Sequence, residues 1–108
     1  MRRGSLVTVA VQGDYGKPRP AVVIQSDNFA EHPSITVLPL TSTLFDTPLV
    51  RVTIEPNSDN QLAKKSQVMI DKAATLPREK IGGVIGSLGY VEMQEIDRCL
   101  AVFLGIAK

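Results

Sequence analysis

The sequence predicts a compact α+β fold, a curled antiparallel sheet or small barrel with a single C-terminal helix. Three observations carry that expectation. Five or six short runs have strand character and are separated by tight turns. Only one segment, at the C-terminus, repeats apolar residues at spacings of three and four. And 108 residues suit one domain, residues 1–108, large enough to bury a core without staples.

The elements follow in order. Leu6 to Gln12 alternates around Val7, Val9 and Val11, a period-two strand of β-branched residues. Residues 13–18 carry Gly13, Asp14, Gly16 and Pro18 and read as a loop. Ala21 to Gln25 is nearly all apolar, as in a strand buried on both faces, and Asp27 and Asn28 break it. Ile35 to Leu40 is a third strand. Leu49 to Glu55 turns Val50, Val52 and Ile54 one way and Arg51, Thr53 and Glu55 the other. After a polar turn at residues 56–60, Ser66 to Asp71 reads as a fifth strand. Residues 77–83 are irregular or one helical turn, and Val84 to Leu88 is a short strand. Met93, Ile96, Leu100 and Phe103, widened by Cys99 and Val102, form a helical stripe. Gly89 suits its N-cap, Glu92 the positive end of its dipole, and Gly105 its stop. A stripe this wide must cover the sheet or a partner.

Composition excludes several classes. With 44 % hydrophobic and 21 % charged residues the chain is not disordered. No apolar run approaches the roughly 18 residues that span a bilayer, and no secretory core follows Arg2 and Arg3. One cysteine, Cys99, excludes an internal disulfide; one histidine, His32, excludes a two-histidine ribonuclease mechanism within one chain. A net charge of +1 argues against a non-specific nucleic-acid coat. The charge is unevenly spread, however: residues 1–25 and residues 63–80 each carry a net +3.

The segment from Gly16 to Val23 is the most informative. Pro20 biases Arg19 toward extended backbone, and Pro18 stiffens the approach. A guanidinium held this way suits bidentate phosphate binding. Taken alone, the tripeptide fits a surface arginine paired with Asp14 or Glu31 better. Thr41, Ser42 and Thr43 end a strand with three hydroxyls able to bond phosphate oxygens, and alone they read as a polar cap. His32 sits in a turn. Cys99 reads as a buried thiol. Gly82 to Gly86 lacks the Lys-Ser/Thr ending of a phosphate loop. Tyr15 and Phe29 could stack on bases, Tyr15 being the better placed.

Several blocks together resemble one family. These are Gly-Lys-Pro-Arg-Pro-Ala-Val-Val-Ile-Gln-Ser-Asp from Gly16, Thr-Val-Leu-Pro-Leu-Thr-Ser from Thr36, Ser-Gln-Val-Met-Ile-Asp-Lys from Ser66, and Leu-Ala-Val-Phe-Leu-Gly from Leu100. In order and spacing they resemble the MazF/PemK toxins, over nearly the whole chain. The resemblance implies an SH3-like antiparallel β-barrel with a C-terminal helix, the fold shared with CcdB, assembled as a homodimer. It implies a bacterial, cytoplasmic toxin of a type II toxin–antitoxin module that cleaves single-stranded RNA at short motifs without metal or other cofactor. The 2′-hydroxyl would attack the adjacent phosphate. Arg19 and Thr41 map onto catalytic positions, and Lys17, Ser42 and Asp71 map near the same groove; Lys72, by its charge, and Tyr15, by its ring, join them as substrate-binding candidates. A cognate antitoxin with an acidic or disordered segment is the implied partner, since such a segment fits a basic groove. Two alternatives share the fold: a non-enzymatic gyrase poison like CcdB, and an inactive antitoxin-binding module.

The chain also departs from some relatives, which place a His in the loop before the Arg-Pro pair and an Arg two residues before the acidic residue. Here the loop is shorter and lacks His, and Met69 holds the second position. Arg19 is too basic to accept a proton. Asp71 is a weak base unless its surroundings raise its pKa, and it reads equally well as a partner of Lys72 or Arg19.

Overall fold

The computed structural model describes residues 1–10 and 17–108. Among these residues seven strands and one α-helix follow one another: β1 (Ser5–Val9), β2 (Arg19–Val23), β3 (Ser34–Thr41), β4 (Arg51–Ile54), β5 (Ser66–Met69), β6 (Ala74–Pro77), β7 (Ile81–Ser87) and α1 (Tyr90–Phe103). All pairings are antiparallel, in the order β4-β5-β3-β2-β1-β7. The long strand β3 pairs β2 and also serves two further partners, β6 along Ser34 to Val37 and β5 at Leu40 and Thr41. This is the α+β architecture expected from the sequence.

Strand alternation sorts the core into two clusters. Leu6, Val22, Leu38, Leu40, Val52, Ile54 and Val68 lie on one face, where Ile96 and Cys99 of α1 join them. Val7, Val9, Ala21, Val23, Ile35 and Val37 lie on the other, with Leu76 and Ile81 packed against them. Because β1, β2 and most of β3 are buried on both faces, their sequences run nearly all apolar. In β4 only Val52 and Ile54 are buried, which is the half-buried alternation that the sequence shows.

The helix stripe is shorter than its spacing implies. Ile96 and Cys99 are buried and Met93 and Leu100 half-buried, whereas Phe103 is exposed beyond the sheet. At the start of α1, Gly89 N–H donates to Glu92 Oε1 at 2.7 Å. At its end Gly105, at φ +77°, donates to Val102 O, and Ile106 to Ala101 O. That is a Schellman stop.

Several boundaries differ from expectation: β2 spans 19–23 rather than 21–25 and β4 spans 51–54 rather than 49–55. Strand β5 stops at Met69, and a single 3₁₀ turn, Ile70–Lys72, takes Asp71 out of the sheet. Strand β6 was not read from the sequence; its ladder with β3 and the Thr36–Thr75 hydroxyl contact of 2.7 Å form it. Strand β7 begins at Ile81, three residues early, and its register on β1 shifts twice. Gly82 makes this close pairing feasible, since a Cβ there would lie 2.0 Å from Thr8 Oγ1.

Candidate active site

Strand register builds the site. Ala21 pairs with Pro39 across β2 and β3; carried two residues further, that register sets Arg19 opposite Thr41. Thr41 pairs with Gln67, and Gln67 with Thr53. Four polar residues, Arg19, Thr41, Gln67 and Thr53, therefore form one row across β2, β3, β5 and β4. They share a sheet face because side chains alternate with period two. The same face carries the second core cluster, so the row lies where its apolar filling ends.

Arg19, Thr41, Ser42, Thr43 and Met69 surround an open cleft of about 170 Å³. Arg19 and Ser42 are exposed and Thr41 is half-buried. Thr41 Oγ1 accepts from Thr43 N–H at 3.1 Å, which leaves its own proton to donate into the cleft. Of the residues expected at the site, Arg19, Thr41 and Ser42 meet here. Lys17 is exposed two residues before Arg19, and Lys72 is exposed on the turn after β5; neither borders the cleft. Tyr15 lies outside the described residues.

Asp71 is paired with Arg51 rather than Arg19, and Lys72 adds only a nearby charge. Its carboxylate accepts from Arg51 Nη1, which also donates to Val50 O at 3.0 Å. Burial pushes the Asp71 carboxyl up, but the Arg51 hydrogen bond and charge outweigh it and hold the pKa below the ordinary carboxylate value. Asp71 is thus ionised near neutrality and a poorer proton acceptor than a free carboxylate. Such a group stabilises the fold above the ordinary carboxylate range, and the contribution disappears as pH falls through its depressed pKa. Asp71→Asn is accordingly expected to lower stability at pH 7 and to flatten the loss of stability below about pH 4. Urea midpoints across that range check it; parallel curves for parent and variant would refute the pairing.

Two other candidates stay out of the chemistry. His32 Nδ1 accepts from Ser34 N–H at 3.1 Å within its own turn. Burial and Glu95 push the Cys99 thiol up, so it is a packed, un-ionised group.

The sequence reading passed over Gln67, Phe45 and Arg51. Gln67 is 6 % exposed. Its Oε1 accepts from Phe45 N–H at 3.0 Å, and its Nε2 donates to Phe45 O at 2.9 Å and to Thr53 Oγ1 at 3.2 Å. One buried amide thereby fixes the loop of residues 42–48 that walls the cleft. The available signal was a glutamine inside a short apolar strand.

The chain is similar to known proteins of one family over nearly its whole length. A family model described as PemK-like, MazF-like toxin of type II toxin–antitoxin system matches residues 2–104. A protein of Mycolicibacterium smegmatis named probable endoribonuclease MazF is 46 % identical over 108 residues, 99 % of each chain. Among solved structures, an endoribonuclease in complex with its cognate antitoxin from a mycobacterial species superposes with a TM-score of 0.84 at 23 % identity, covering 100 % of this chain and 98 % of that one. The Mycobacterium tuberculosis toxin MazF-mt6 gives 0.82 at 20 % identity over 96 % and 99 %. MazF of Deinococcus radiodurans gives 0.77 at 21 % identity over 97 % and 96 %.

Proposed function

Because this chain belongs to the PemK-like, MazF-like toxin family of type II toxin–antitoxin systems and is an endoribonuclease, we propose that it cuts single-stranded RNA at the cleft between Arg19 and Thr41. The observation that carries the assignment is the strand register that sets a guanidinium opposite a hydroxyl on one open face. In the reaction the 2′-oxygen forms a bond to the adjacent phosphorus while the bond to the 5′-oxygen breaks. The products are a 2′,3′-cyclic phosphate and a 5′-hydroxyl. Negative charge grows on the non-bridging oxygens, where the Arg19 fork binds in bidentate fashion and the hydroxyls of Thr41 and Ser42 donate. Among the described residues the cleft wall holds no carboxylate and no histidine. The contribution of this wall is therefore charge stabilisation and in-line positioning. A guanidinium with neutral hydroxyls does not make a divalent-cation site, which needs carboxylate or carbonyl oxygens. The reading of a gyrase poison loses its support to the family match and to this cleft.

Lys17 and Lys72, both exposed, would add positive charge for the incoming strand. An acidic antitoxin segment would meet the same cations and exclude RNA; the mycobacterial structure above shows such a toxin with its antitoxin. A homodimer would cover apolar surface such as Leu104 and Ile106, which are 62 % and 79 % exposed beyond the end of α1. Action in the bacterial cytoplasm goes with the RNA substrate proposed; no helix among the described residues is long and apolar enough to cross a membrane.

The direct test is incubation of the purified protein with a long mixed-sequence RNA in EDTA, with the new ends mapped. Cuts at a short motif that leave 2′,3′-cyclic phosphates are expected. Intact RNA, or cutting only after a divalent metal is restored, would refute the mechanism.

A further inference from the structure

The polar row does not stop at Thr41. Its far half, Gln67 and Thr53, floors a second cleft of about 370 Å³, walled by Phe45, Asp46 and Arg51. The two clefts are neighbours in the sheet, since Thr41 and Gln67 are paired residues, and the loop of residues 42–48 forms the ridge between them. Strands lie about 4.8 Å apart, so Thr53 is roughly 10 Å from Thr41 along the row. A neighbouring nucleotide on an extended RNA strand can reach it.

Three features show what the second cleft is built to hold. The Phe45 ring is 57 % exposed, yet its backbone N–H and C=O are both clamped by the buried Gln67 amide. An aromatic ring presented outward on a fixed backbone is a stacking platform that loses little freedom on binding. Arg51 is anchored through Nη1 to Asp71 and Val50, while its Nε is the one buried side-chain polar atom without a partner among the described residues. Thr53 Oγ1 already accepts from Gln67 and so keeps a proton to donate. Against these donors stands Asp46, a carboxylate that accepts but repels phosphate. A site with donors on its floor and an acceptor on its wall is matched to a base edge, not to the backbone.

We propose that this second cleft is a nucleobase pocket that selects a keto base, guanine or uracil, beside the phosphate that is cut. Guanine and uracil each carry a ring N–H next to a carbonyl. The N–H donates to Asp46, the carbonyl accepts from Thr53 or Arg51, and the ring stacks on Phe45. Adenine lacks the carbonyl, and cytosine lacks the ring N–H. Arg19 and Thr41 then act on the phosphate, and Phe45 and Asp46 set which sequence is cut. The proposal rests on the reading that the protein takes RNA.

The test is selection from a randomised 2′-O-methyl RNA library, which cannot be cleaved by 2′-hydroxyl attack, followed by sequencing of the bound fraction. The parent is expected to enrich guanine or uracil at one position about tenfold over adenine and cytosine. Phe45→Ala and Asp46→Asn, both at exposed positions, should each reduce that enrichment to below about twofold while preferences elsewhere persist. Profiles that superimpose for parent and both variants would overturn the pocket, as would a parent with no keto preference at any position. Cleavage of unmodified RNA by the parent is followed in parallel. A parent that selects a keto base but never cuts would sink the nuclease site and leave the pocket standing.

Discussion

Arg19→Ala is expected to slow RNA cleavage by about 10²–10³-fold, the usual consequence of removing one preorganised charge-stabilising group. The reason lies in position as much as in charge. Arg19 opens β2 between Pro18 and Pro20, and the β2–β3 register brings it opposite Thr41. Its cost of ordering is therefore met by the fold before the substrate arrives. Arg19→Lys separates charge from geometry: an ammonium retains the charge but loses the planar fork, so an intermediate rate, roughly tenfold below the parent, is expected. Initial rates on a short fluorescent RNA measure both, with circular dichroism confirming the fold. Because Arg19 is exposed, its truncation opens no core cavity and the helical and sheet signals should be unchanged. Full activity in Arg19→Ala would remove it from the mechanism.

Ile96→Ala is expected to cost about 2–5 kcal/mol, the range for truncating a fully buried aliphatic side chain. In a domain of this size that lowers Tm by roughly 10–30 °C. Ile96 is 0 % exposed and belongs to the same buried cluster as Leu6, Val22, Leu38 and Val52, so its loss leaves a void between the helix and the sheet. A 14-residue helix is marginal alone in water, so its docking face decides whether it forms. The control lies one turn away: Val91, 76 % exposed, should tolerate alanine to within about 0.5 kcal/mol. Thermal unfolding of both variants checks the contrast. Equal Tm losses would mean that α1 does not dock as described.

Much of this was legible in the chain. Ala21 to Ile24 has no polar residue to show a solvent face, and β2 is indeed buried on both sides. Val52 and Ile54 alternate with Arg51 and Thr53, and β4 has one wet face. Met93, Ile96 and Leu100 keep helical spacing, and Gly89 and Gly105 bound the helix. Arg19, Thr41 and Ser42 stand out in their sequence blocks, and the fold brings them to one cleft. Where reading failed, partners distant in sequence decided. Ala74 to Pro77 has weak strand character of its own and becomes β6 only against β3. Asp71 follows an apolar strand but sits on a turn, and its partner is Arg51, twenty residues back.

The sequence by itself determined the class of fold, the order of elements and which residues carry charge or hydroxyls, because these follow from periodicity, turn chemistry and residue type. Only the tertiary structure decided which of them meet. A one-residue change of register would turn Thr41 to the opposite face, away from Arg19, and no local propensity sets that register. The clamp of Gln67 on Phe45 joins residues 22 positions apart, and the row from Arg19 to Thr53 crosses four strands. Each of those strands buries at least one face, which fixes their alignment, and the cleft follows from it.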